Sequence, residues 1–179
     1  MRTAADLAAA IPGGVVKEST IQNVEAGRKA ELTVSQLLNI AFALRLPPAY
    51  LLAPLGNPDG KIDLAYLSDD LENMKVVEFE NWLSGNVNGA YSVSSAAEHR
   101  DRNQLQALRE LEVELRERKR LSQTFDLERG LAAKENFVED SAALEGETEA
   151  RLEETNRRLS RLVDYLESAG WNLSRWIRQ

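Results

Sequence analysis

The sequence predicts an all-α protein: a small head of short helices, a linker, and long C-terminal helices with coiled-coil character. Three observations lead there. Apolar residues in the first third recur at helical spacing between proline and glycine stops. From about Ala96 the composition shifts to Leu, Glu, Arg and Ala, with no proline to the end. Leu152, Leu159 and Leu166 then recur every seven residues, with Leu162 and Ala169 at the alternate positions, as in helices that pair along a seam.

Each element has its own signal. Thr3-Ala4-Ala5-Asp6 opens a first helix, with threonine as N-cap and an acid three residues on. Leu7, Ala8 and Ile11 form its buried side, and Pro12-Gly13-Gly14 ends it. A second helix runs roughly from Lys17 to Ala26, with Gly27 suited to a left-handed cap. Thr33 caps a third from Val34 to Leu44, whose Leu37, Leu38, Ile40, Ala41 and Leu44 read as core. Pro47-Pro48 starts a short helix over Ala49 to Leu52. Residues 57–97 read as an acidic connection. Ile62, Leu64, Tyr66 and Leu67 suit a short strand or turn there, and Val76 to Leu83 a short amphipathic helix ending at Gly85. Ser84 to Ser95 reads as linker. Leu105, Leu108, Leu111 and Leu115 begin an apolar stripe that Leu121, Phe125, Leu131 and Val138 extend. Gly130 and Gly146 interrupt the region, giving either a hairpin of two helices or one bent helix, and packing within the chain or between copies fits the heptads equally. The expected division is therefore 1–56, 57–97 and 98–179.

The net charge of −7 argues against a polyanionic partner until it is resolved by segment. Residues 1–56 carry five cations against four acids, a balance of +1, while 57–97 stand at −5 and the remainder at −3. The acidity lies outside the head, yet the head is only weakly basic, so a single copy should make few phosphate contacts.

The informative stretch is Ser19 to Lys29. Ile21 and Val24, three apart, turn one face inward, and Ser19, Thr20, Gln22 and Asn23 are left outside. All four are hydrogen-bonding side chains short enough to enter a groove and read base edges. Arg28 and Lys29 follow, placed to meet phosphate.

The order of these pieces resembles the Cro/repressor-type helix-turn-helix family, the XRE or lambda-repressor-like DNA-binding domains. The matching runs are Thr3 to Ala8, Ser19-Thr20-Ile21 through Glu25-Ala26-Gly27-Arg28-Lys29, Leu37 to Leu44, and Pro47-Pro48-Ala49-Tyr50-Leu51-Leu52. They cover about the first third of the chain. The resemblance implies a second helix in the major groove, with Lys17, Ser19, Thr20, Gln22 and Asn23 as readers and Arg28 and Lys29 on phosphate. It implies a structural, bracing role for Glu25. Two departures stand out. Leu7 to Ile21 is longer than usual, the extra residues falling around Pro12-Gly13-Gly14. Only Met1 and Arg2 precede Thr3, where members carry one helix more; an upstream start is the expectation, the alternative being another segment that covers the exposed face.

The expected function is a sequence-specific transcriptional regulator of bacterial or phage type. It would repress by occupying double-stranded DNA as a homodimer joined through its C-terminal helices. The rival is a helical protein–protein interaction protein whose incomplete head binds no DNA. An enzyme is not expected: no nucleophile with a base, no phosphate loop and no metal-ligand set is visible. There is no cysteine, His99 is the sole histidine, and no cofactor, metal or small-molecule ligand is expected. With no membrane-length apolar run and no leader signal, a cytoplasmic protein is the expectation.

Overall fold

The computed structural model describes residues 3–28, 31–132, 139–174 and 176–177, and the side chains among them except at 131, 132 and 139–143. It is all-helical, with no strand among the described residues beyond one isolated antiparallel bridge between Lys61 and Lys75. The chain divides into two compact units, Met1–Ser92 and Val93–Gln179.

In the first unit, α1 (Ala4–Ala9) starts on a reciprocal capping box: Thr3 Oγ1 accepts from Asp6 N at 3.1 Å and Asp6 Oδ2 accepts from Thr3 N at 3.0 Å. A 3-10 turn at Pro12–Gly14 follows, with Gly13 and Gly14 at φ 74° and 62°, where a side chain is strained. Then come α2 (Glu18–Glu25), α3 (Val34–Leu44) and α4 (Ala49–Leu52). Thr33 and Gln36 repeat the capping box at the head of α3. Leu7, Ile11, Val16, Ile21 and Ile40 form the core of this group.

Leu38 departs from its expected place. It is 48% exposed, and it shares a face with exposed Val34 and Phe42 rather than with buried Ile40 and Ala41. Helical rotation explains this, since positions four apart advance only about 40°. Leu38 thus sits on the flank of the buried arc.

Residues after Pro54 continue the same unit around a second core of Ala53, Ile62, Val76 and Phe79. The acidic Asp69–Glu72 segment forms the short helix α5. Helix α6 (Val76–Ser84) ends at Gly85 in the left-handed conformation. The glycine-rich stretch beyond it, read as linker, is docked in part. Ala90 N donates to Oδ1 of buried Asn81, and a Cβ at Gly89 would run into that side chain.

The second unit is a helix pair, α7 (Ala96–Ala132) and α8 (Glu139–Ser168). The partners across it fix an antiparallel course. Trp171 Nε1 donates to Gln104 Oε1 at 3.0 Å, Arg158 pairs with Glu114 and Arg151 with Glu117, both at 3.6 Å. Leu159, Leu166 and Leu173 bury against Ala107 and Leu111, so the heptad seam is filled within one chain. Thr148 and Thr155, seven apart, are buried on the same helix. Gly130 and Gly146 do not interrupt: each lies inside a helix with open space where a Cβ would be. Leu131 and Val138 of the expected stripe have side chains outside the described residues. After Gly170 (φ 90°) the chain turns back, and Trp176 and Ile177 reach Leu115 and Lys119 of α7.

Candidate nucleic-acid interface

Helix α2 is held from beneath and free above. Ile21 is 4% exposed in the core and Val24 is half-buried, and the register then directs Ser19, Gln22 and Asn23 outward. Ser19 and Gln22 are exposed, as is Lys17, while Thr20 and Asn23 are half-buried. The long turn ahead of α2 is pinned at both ends, because Ile11 and Val16 are buried while Pro12 to Val15 stay exposed. Its extra length is therefore taken up by a defined glycine turn, and α2 keeps a fixed attachment.

Both ends of the outward face carry charge. Lys17 occupies the N-cap without a side-chain hydrogen bond to the helix start. At the other end Gly27 has φ 66°, Gly27 N donates to Val24 O at 2.9 Å and Arg28 N donates to Asn23 O at 2.8 Å. This double closure is a Schellman end, and it is why a glycine stands there. It also brings Arg28 back to the face, where its Nε donates to Asn23 Oδ1 at 3.2 Å. Lys29 lies outside the described residues.

Sequence reasoning misses a second charged contact. Gln22 Nε2 donates to Glu18 Oε1 at 2.8 Å, one turn before it on the helix. The spacing of four is visible in the sequence, but which partner the Gln22 amide takes is not. Both amides able to make a bidentate pair with adenine are thus engaged by a charged neighbour in the free chain. Each such exposed hydrogen bond is weak, about 1 kcal/mol net, and exchangeable for a base edge. Glu25 is exposed, and among the described residues no hydrogen bond or ion pair braces it to another helix.

Among the described residues, no group of three or more His, Cys, Asp or Glu side chains gathers as a metal site. His99 is exposed in the second unit, its Nδ1 lying 3.4 Å from Asn103 Nδ2. No helix among the described residues is long and apolar enough to cross a membrane. No family model, no curated protein and no solved structure matches the chain.

Proposed function

We propose that the chain is a sequence-specific DNA-binding regulator that reads duplex DNA with α2 and represses by occupancy. One observation carries this: a helix seated in the core through Ile21 presents exposed Ser19 and Gln22 and half-buried Asn23 on its outer side, with Lys17 and Arg28 at its two ends. Short polar side chains between cations match the division of labour at DNA interfaces, where phosphate contacts position and base contacts specify. Thr20 and Lys29 complete the proposed set from the sequence.

The electrostatics make binding by one copy weak. Residues 1–92 carry seven cations against eleven acids, so attraction comes from the local cations at α2 and not from the unit as a whole. Two or three phosphate contacts per head correspond to a salt slope of roughly −2 to −3 in log K against log salt. Two linked heads raise the effective concentration of the second. The filled seam between α7 and α8 directs attention to other surfaces for that pairing.

Fluorescence anisotropy of the full chain on labelled duplex, across a salt series, tests the proposal. Measurable binding with a shallow slope supports it, and its loss in Lys17→Ala/Arg28→Ala supports the placement. No binding at low salt would turn the reading to the helical interaction protein.

A further inference from the structure

We infer that two copies of this chain associate through α3, which pairs antiparallel with its own twin about a two-fold axis at Leu38. The surface is unusual in its exposure. Phe42 is 87% exposed, Val34 75% and Leu38 48%, and the three lie at successive fourth positions on one helix. No charged residue occurs anywhere from Val34 to Leu44. In a chain of net charge −7, that leaves an apolar stripe on which no like charges of two copies are set directly against each other.

The stripe is self-complementary. Val34 and Phe42 are equally far from Leu38 along the helix, so an antiparallel pair sets Leu38 on its twin and each Val34 against the partner's Phe42. Such a contact is isologous, the commonest form of closed association. Beside Val34 and Leu38 lies a groove of about 630 Å3, walled mainly by Leu37, Pro47, Leu52 and Leu83, with Glu80 the one charged residue in its lining. The projecting Phe42 ring of one copy is the group that fills it in the other.

Charge at the ends selects the orientation. Glu31 stands three residues before Val34 and Arg45 three residues after Phe42, and both are exposed. Antiparallel pairing sets the acid of one copy beside the guanidinium of the other at both ends. Parallel pairing would set like against like. Balanced, opposite ends on an uncharged stripe fit a second copy better than an acidic or basic partner.

Sedimentation of the full chain over a concentration series, without DNA, tests this. The expected result is a monomer–dimer equilibrium that Phe42→Glu weakens by about thirty-fold or more, with an unchanged circular dichroism spectrum. Glu31→Arg and Arg45→Glu should each weaken the dimer, and together restore it. Because the chain lacks cysteine, Leu38→Cys places one thiol on the axis, and mild oxidation should link two copies. Ser35→Cys, off the stripe, should not link. A monomer at every concentration, a dimer indifferent to Phe42→Glu, or charge reversals that fail to rescue one another would each overturn the inference.

Discussion

Gln22 and Asn23 reach the surface already tied to Glu18 and Arg28, and the two ties pull in opposite directions. Arg28 brings a cation that phosphate can use, whereas Glu18 brings an acid that phosphate repels. Glu18→Ala should therefore tighten duplex binding about two- to fivefold at low salt, read by anisotropy. Weaker binding would mean that Glu18 itself accepts from a base. Gly13 answers to a different constraint. Its φ of 74° makes Gly13→Ala cost about 1 kcal/mol in urea unfolding, although only Val15 lies near the added methyl group. These contacts differ in how far the sequence betrays them. The outward face and the Gly27 cap follow from spacing and from glycine's conformational freedom. The choice Gln22 makes between water and Glu18 is a matter of rotamers, which no periodicity records.

Helices α7 and α8 are stabilised by a leucine seam inside and ion pairs outside. Leu111 and Leu166 are fully buried, so Leu111→Ala should cost about 2–5 kcal/mol, read as a lower denaturation midpoint. Gly146→Ala should act the other way, adding up to about 1 kcal/mol, since the glycine is mid-helix and meets nothing within 4 Å. Acid should loosen the pair. The Arg120 guanidinium holds the Glu117 carboxyl below its usual range, Arg157 and then Arg158 do so for Glu154, and the Ser94 amide does so for Glu98. A carboxyl with a lowered folded value stabilises fully above its ordinary value, about 4.3, and loses this as pH falls through the lower one. The urea midpoint should therefore hold from neutrality to about pH 5 and decline below about pH 4. The heptads of α8 were legible because leucine at every seventh residue keeps one apolar line along a helix, a spacing that a strand or loop has no use for. Which helix filled the seam was not, because a seam looks alike whether its partner is the same chain or another. Gly130 and Gly146 read as breakers in the sequence, yet long helices tolerate a glycine at modest cost.

Across the whole molecule, the two compact units divide the chemistry: polar and cationic side chains on α2 in the first, a closed helix pair in the second. The all-α class was legible from spacing and stops alone. The extent of the first unit was harder to read, because Asn81 holding Ala90 inside a run of Gly, Asn and Ser is a tertiary contact with the composition of a loop. The face of α3 was hidden for a related reason: Leu38 and Leu37 look alike in a row of leucines, and only the rotation of the helix separates core from surface. The central claim is that α2 reads sequence. Selection of bound fragments from random duplex DNA by the full chain tests it most directly. One enriched motif is expected, with Gln22→Ala or Asn23→Ala relaxing it at particular base pairs by about 1–3 kcal/mol each. No enrichment, or a motif unchanged by both substitutions, would contradict it.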